Sequence, residues 1–172
     1  MRTPAELTQL FRAHGRKVTP QRQCIFRALH VESRQPAADG HPADGHPADG
    51  HPTAERVYEV VHAELETISR KTVYQTLHEL AEMGEVVALD VGTGAVRYDP
   101  NVEHAHHHLV CRACGRIRDL FVDLPEVELP ASLAQGYQVE GREVVFRGLC
   151  GGCRALPPPA ADRAPLEPAG AA

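Results

Sequence analysis

The chain has no tryptophan and only four tyrosines and four phenylalanines in 172 residues. A small sheet with so little aromatic mass needs another device to close its core, and bound metal is the one this sequence offers. No apolar run approaches the ~18 residues that would cross a bilayer, and nothing resembles a signal peptide, so a soluble, cytoplasmic protein without membrane contact is expected. No nucleophile is grouped with a base and an orienting residue, so catalysis is not expected. Acidic residues outnumber basic ones overall, for a formal charge of −5. The balance is local, however: within residues 1–31, Arg2, Arg12, Arg16, Lys17, Arg22 and Arg27 face only Glu6. A phosphate backbone feels that local charge, not the sum.

What the chain does hold is ligand chemistry. Cys111 and Cys114 form one Cys-x-x-Cys pair and Cys150 and Cys153 another. Four thiols at this spacing suit a closed tetrahedral structural zinc site, and a reducing compartment favours metal over disulfides. A redox-active pair is the rival reading, set aside because neither pair is expected between a strand and a helix start in a βαβ pattern. Cys24 adjoins an apolar stripe and reads as an inert core thiol. His104, His106, His107 and His108 cluster just before the first thiol pair and beside Asp99. Imidazoles with carboxylates suit a harder, exchangeable divalent metal.

The N-terminal half punctuates itself as helices. Thr3-Pro4-Ala5-Glu6 is a capping box ahead of Leu7, Leu10 and Phe11, with Gly15 as the stop. Thr19-Pro20 opens a second helix with an apolar stripe of Ile25, Phe26 and Leu29, leaving Arg22 and Arg27 where solvent or phosphate reaches them. Thr53 opens a third through Val57, Val60 and Val61, and Ser69 a fourth through Val73, Leu77 and Leu80 to Gly84. Residues 86–91 and 95–98 then make a hairpin across Gly92-Thr93-Gly94. Helices followed by a hairpin are the layout of a winged helix, with the fourth helix reading DNA. Ser69, Arg70, Lys71, Thr72, Tyr74 and Gln75 on that helix, with Arg16, Lys17 and Arg22, are the expected contacts to phosphates and base edges.

The expected class is therefore α+β: a winged-helix DNA-binding domain over residues 1–99, then a small α/β dimerisation domain over 100–153 with the zinc site. Strands are expected over 107–111, 116–122, 137–140 and 143–149, with a short helix around 131–135. His106 and His108 then point the same way and can share one metal. Residues 36–50 carry a tandem Ala-Asp-Gly-His-Pro repeat, a loop insertion best explained by replication slippage, with His41 and His46 as bystanders. The Pro/Ala-rich residues 154–172 read as a disordered tail.

Three stretches together, 51–58 (His-Pro-Thr-Ala-Glu-Arg-Val-Tyr), 69–77 (Ser-Arg-Lys-Thr-Val-Tyr-Gln-Thr-Leu) and 106–115 (His-His-His-Leu-Val-Cys-Arg-Ala-Cys-Gly), resemble the ferric uptake regulator (Fur) superfamily. The likeness spans residues 5–153 apart from the repeat. It implies a metal-dependent, dimeric transcriptional repressor that binds palindromic double-stranded DNA. It also implies structural zinc on the four cysteines and a regulatory Fe(II) or Mn(II) on His51, Asp99, His106, His108 and Asp119. His51 belongs to the DNA-binding half and Asp119 to the other, so one metal can clamp the two.

Departures from the family pattern point to a branch. No cysteine is placed for the zinc-sensing branch, and Ala105, His107 and Arg142 replace residues of the iron-sensing branch's second site. Aspartates at both 99 and 119 resemble the peroxide-sensing, PerR-like branch. The stretch from Asp99 to His106 is one residue longer than in that branch, which makes His104 the substitute for Asp99. An iron- or manganese-uptake regulator is the alternative within the family. A metal-binding redox or carrier protein that never touches DNA is the alternative outside it.

Overall fold

The computed structural model describes residues 1–34, 50–92, 94–125, 130, 132, 135–138 and 144–155. Four helices come first: α1 (Pro4–Ala13), α2 (Pro20–Glu32), α3 (Ala54–Glu64) and α4 (Arg70–Glu82). Each starts where its cap says it should. Thr3, Thr19, Thr53 and Ser69 are extended N-cap residues whose hydroxyls accept the amide three residues on, and at α1 the Glu6 carboxylate accepts the Thr3 amide in return. A cap of this kind contributes ~1 kcal/mol.

Leu7, Phe11, Ile25, Phe26, Leu29, Val57, Val61, Val73, Leu77 and Leu80 are almost wholly buried in one core. The Phe11 and Phe26 rings meet at 4.8 Å between centroids in a tilted pair. Burial stabilises by roughly 1.5–3 kcal/mol for each large side chain, which makes this cluster the main cohesion of the N-terminal half.

A short hairpin follows, β1 (Val87–Leu89) with β2 (Arg97–Asp99), in the register Val87 to Asp99 and Leu89 to Arg97. It is shorter than the sequence suggests on both sides of its glycine turn. Thr53 bridges to Arg97 and the Tyr98 amide donates to the Pro52 carbonyl, so the segment entering α3 is pinned along β2. Gly50 starts that segment with φ +78°, and a Cβ there would come within 3.2 Å of the Ser33 carbonyl oxygen. Only glycine takes that backbone comfortably, and the following residue is His51.

The remaining sheet has the order β4-β3-β5, with β3 (His107–Cys111) central, β4 (Ile117–Leu120) antiparallel and β5 (Val145–Gly148) parallel to it. A short helix, α5 (Gly151–Ala155), follows. Arg154 and Ala155, expected in the tail, belong to this helix. Tyr137 and Gln138, expected in a strand, are not in one; the rest of that strand, the helix expected over 131–135 apart from Ser132 and Gln135, the repeat before Gly50 and residues 156–172 lie outside the described residues. Leu89 and Val91 from the hairpin share a small buried cluster with Val110, Ile117 and Val145 from the sheet. Arg147 on β5 also donates to the Val91 carbonyl, so hairpin and sheet are joined by both apolar and polar contacts. No helix among the described residues is long and apolar enough to cross a membrane.

Candidate metal centres and nucleic-acid interface

The antiparallel turn between β3 and β4 brings the first thiol pair together. The Cys111 amide donates to the Arg116 carbonyl and the Gly115 amide to the Cys111 carbonyl, closing a knuckle that aims both sulfurs one way. Cys150 and Cys153 arrive from the end of β5 and the first turns of α5. The four Sγ atoms lie within 4.8 Å of one another, and Cys114 Sγ and Cys150 Sγ are 3.7 Å apart. A tetrahedral zinc with ~2.3 Å bonds to sulfur requires edges of about 3.8 Å, so the spacing fits zinc.

All five cysteines are free thiols. Burial pushes the Cys111 thiol up, but the amides of Cys150, Cys114 and Ala113 outweigh it and bring it down to about 6. Burial and the neighbouring sulfurs push Cys153 up. Cys111 is thus held toward the thiolate while Cys114 and Cys153 resist ionisation, a conflict a divalent cation resolves. The second pair lies between β5 and the start of α5, but no strand follows α5 among the described residues, so no βαβ unit frames it. What separates it from a redox dithiol is the convergence of all four sulfurs.

The second cluster is built from three places in the chain. His51 comes from the segment pinned along β2, Asp99 from β2 itself, and His106 and His108 from the start of β3. One ligand atom from each lies within 4.8 Å of all the others. His106 Nε2 is 2.9 Å from Asp99 Oδ2, and His108 Nε2 is 3.2 Å from His106 Nε2 and 3.5 Å from Asp99 Oδ2. Asp119, the Cα partner of His108 across β3 and β4, reaches His51 Nε2 at 2.9 Å and His106 Nε2 at 3.7 Å. His51, Asp99 and His108 are only 3, 2 and 4 % exposed, so these polar groups have little water to lean on.

Hydrogen bonding outside the cluster shows what it is built to hold. His106 Nδ1 is 2.8 Å from the His104 carbonyl oxygen, an acceptor, which puts the proton on Nδ1 and leaves a lone pair on Nε2. That lone pair faces the lone pairs of Asp99 at 2.9 Å. Either a proton or a cation must sit between them, and three imidazoles with two carboxylates fit a divalent cation. Burial pushes the Asp119 carboxyl up, yet hydrogen bonds from His51 and Asn101 outweigh it and hold it at about 2. Asp99 is likewise pushed up by burial and pulled below its ordinary value by His108 and the Asn101 amide.

His104 contributes its carbonyl to this arrangement and its ring stays outside the cluster, while Asp99 stands inside it. Asn101 went unnoticed in the sequence. Its amide donates to Asp99 Oδ1 at 2.7 Å and its side chain to Asp119 Oδ2 at 2.8 Å, so one residue orients both carboxylates. The Asp-Pro-Asn string was the available signal, since Asx side chains commonly accept an amide two residues on.

The expected DNA contacts divide into two groups. Lys71 and Tyr74 are exposed on α4, and Ser69 and Thr72 are occupied with the cap. Lys17 is exposed before α2. The other cations are engaged. Arg22 donates to Glu79 Oε1 at 2.8 Å and to the Lys17 carbonyl and lies over the Phe11 ring, with only 14 % of its side chain exposed. Arg16 pairs with Glu79 and Glu82, and Gln75 Nε2 donates to Glu79 at 3.1 Å. Arg70 is forked by Glu55 and stacks on Tyr58, 4.3 Å from the ring centroid.

A four-helix winged-helix unit, joined to a small sheet that carries a four-cysteine cluster and a buried His/Asp cluster, defines a metal-binding winged-helix protein. The model of the ferric uptake regulator family matches residues 46–146, and the chain belongs to that family. It is 31% identical over 144 residues, 83% of this chain and 85% of the relative, to a protein named peroxide-responsive repressor PerR from Staphylococcus epidermidis. It is 29% identical over 160 residues to ferric uptake regulation protein 2 of Mycolicibacterium fortuitum, covering 91% of this chain and 99% of that one. Among solved structures, the Helicobacter pylori ferric uptake regulator, described as having three functional metal binding sites, superposes with a TM-score of 0.60 at 18% identity over 87% of this chain and 90% of that chain. The Vibrio cholerae regulator gives 0.55 at 25% identity over 83% and 98%. These likenesses carry the fold, and the family model together with the staphylococcal relative carries the family.

Proposed function

We propose that this chain is a metal-dependent transcriptional repressor that binds a palindromic operator as a homodimer, with its action in the cytoplasm. The observation that carries the reading is His51: it belongs to the DNA-binding half, yet its imidazole meets Asp119 and the β3 histidines. A cation held by His51, Asp99, His106, His108 and Asp119 would tie the two halves, and thereby the angle at which α4 meets a duplex. Fe(II) or Mn(II) suits this all N/O donor set, and Zn(II) suits Cys111, Cys114, Cys150 and Cys153. Leu109 and Phe146, neighbours across β3 and β5, are exposed, as is Leu149, which supports a dimer formed through the sheet.

Within the family we favour the peroxide-responsive branch, because both acidic positions of the cluster are aspartates and because PerR proteins are among its relatives at 31% identity. Iron supplies peroxide reduction when bound there, and the residues within reach of the oxidant are the cluster's own imidazoles. The relative named ferric uptake regulation protein 2, 29% identical over 160 residues, favours an iron- or manganese-uptake regulator as the second reading. Relatives named as repressors and regulators favour DNA binding over the carrier reading.

The test is an anaerobic titration of zinc-loaded protein with Mn(II) or Fe(II), followed by fluorescence anisotropy of operator-length promoter DNA. Binding that rises with metal and saturates at one equivalent per chain is the expected result. DNA binding indifferent to metal, or absent throughout, overturns it.

A further inference from the structure

Arg97 lies on β2 between the two clusters and is 8% exposed. Its Nη1 donates to the His51 carbonyl oxygen at 3.3 Å and its Nη2 to the Gly115 carbonyl oxygen at 3.1 Å. No carboxylate pairs with it among the described residues, and its buried Nε meets no acceptor. A buried guanidinium satisfied only by two carbonyls is costly, and an apolar side chain of similar volume would pack at less expense. The two carbonyls it selects therefore need a reason.

Each belongs to a different metal cluster. Gly115 closes the knuckle that carries Cys111 and Cys114, and its amide is bound to the Cys111 carbonyl. His51 is a member of the buried His/Asp cluster, and Asp99, two residues along β2 from Arg97, is another. Thr53 is bridged to Arg97 through the backbone, so the segment carrying His51 is held by Arg97 from both main chain and side chain. We propose that Arg97 is a positioning residue that couples the two clusters: closure of the thiolate knuckle places Gly115, Gly115 places the guanidinium, and the guanidinium places His51 for the second cation. The inference rests on the metal reading above and goes beyond it by making occupancy of one cluster raise the affinity of the other.

The test uses full-length zinc-loaded protein. Its zinc affinity is measured by equilibrium competition with a chromophoric chelator, with and without saturating Mn(II), and Mn(II) occupancy is followed separately by electron paramagnetic resonance. In the unaltered chain Mn(II) should raise zinc affinity by about tenfold, within the usual range for coupled sites. In Arg97→Met that ratio should fall to near one while one zinc and one Mn(II) still bind. A side chain that merely supported the fold would weaken both affinities and leave the ratio alone, so an unchanged ratio overturns the proposal, as does a ratio of one in the unaltered chain. If Arg97→Met does not fold, Arg97→Lys, which keeps the charge and reaches one carbonyl, decides: an intermediate ratio supports the coupling and an unaltered ratio overturns it. A chain that holds no zinc or no Mn(II) overturns the metal reading and the coupling together, and the stoichiometry tells that outcome from loss of coupling alone.

Discussion

Arg70, the first residue of α4, is already paired: its Nη2 donates to Glu55 Oε1 at 2.6 Å and its Nε to both carboxylate oxygens of the same residue. The guanidinium also lies over the Tyr58 ring, its Cζ 4.3 Å from the ring centroid, so an aromatic contact adds to the ion pair. Glu55 holds Arg70 raised in pKa and is itself lowered, both mainly through this hydrogen bond. The pair is exposed and contributes little to stability in water. Its consequence is at the proposed DNA-reading surface, where it leaves Lys71 as the uncommitted cation on the first turn of α4.

Glu55→Gln should therefore release Arg70 toward phosphate. Affinity for DNA of arbitrary sequence is expected to rise, and the slope of log affinity against log salt to steepen by about one. Lys71→Ala should flatten that slope by a similar amount, uniformly across sequences. Anisotropy titrations at several salt concentrations check both, and equal slopes in all three proteins would contradict the division of labour.

Arg22 makes the opposite case. The periodicity of α2 places it off the apolar stripe, and it was expected at phosphate; in the fold it is turned inward to Glu79, which is 5% exposed. Arg22→Ala should lower stability by about 2 kcal/mol, the cost of a hydrogen bond to a charged group that is largely buried. Arg16 and Gln75 still reach Glu79, which keeps the loss below that of a fully orphaned charge. Chemical denaturation measures the loss. DNA affinity of the folded variant should change by less than for Lys71→Ala, and the reverse order would restore Arg22 to the interface.

These two arginines show where sequence reading stops. Caps, stripes and thiol spacing are local, and α1 to α4 and the knuckle follow from them; strand alternation puts His106 and His108 on one side, whereas His51 entered the buried cluster only through the family resemblance. Whether an off-stripe arginine meets solvent or a carboxylate depends on a residue 57 positions away, as with Arg22 and Glu79, and no local pattern carries that. The same holds for the parallel pairing of β3 with β5 and for Arg97, whose partners are 46 and 18 residues distant. Asn101 is the exception, a local turn residue whose role was readable in principle.

Cys150→Ser should abolish tight zinc binding and lower the melting temperature sharply, because the tetrathiolate cluster joins β5 and α5 to the β3–β4 knuckle in a sheet with a small apolar cluster of its own. Metal analysis after gel filtration reads both zinc content and oligomeric state. A variant that keeps one tightly bound zinc and the same assembly would remove Cys150 from the ligand set.

The histidines of the repeat offer a sharper contrast. His51 is anchored by the Pro52 and Thr53 contacts to β2, so it can bind metal without the entropy cost of ordering a loop, while His41 and His46 lie outside the described residues. Deleting residues 37–46 should leave metal-dependent DNA binding intact, whereas His51→Ala should abolish it. Isothermal titration with Mn(II) compares the two, and a large affinity loss in the deletion would give the repeat a ligand role.

The signal is decided by chemistry at the imidazoles. His51 Nε2 and His106 Nε2 lie 2.9 and 3.7 Å from Asp119 Oδ1, inside the cluster that would hold the iron, so both rings are within reach of an oxidant formed there. After a brief peroxide pulse, iron-loaded protein is expected to gain the mass of one oxygen atom on His51 or His106 and to lose operator binding, because an oxidised imidazole is a poorer ligand. Manganese-loaded protein should bind the operator and resist the pulse, since Mn(II) does not readily reduce peroxide. Asp119→Glu should weaken the peroxide response while keeping metal-dependent binding, by moving the carboxylate that both rings share. Peptide mass spectrometry with parallel anisotropy is the measurement. Unmodified histidines together with undiminished DNA binding in the iron-loaded protein would exclude peroxide sensing and leave metal supply as the signal this repressor reads.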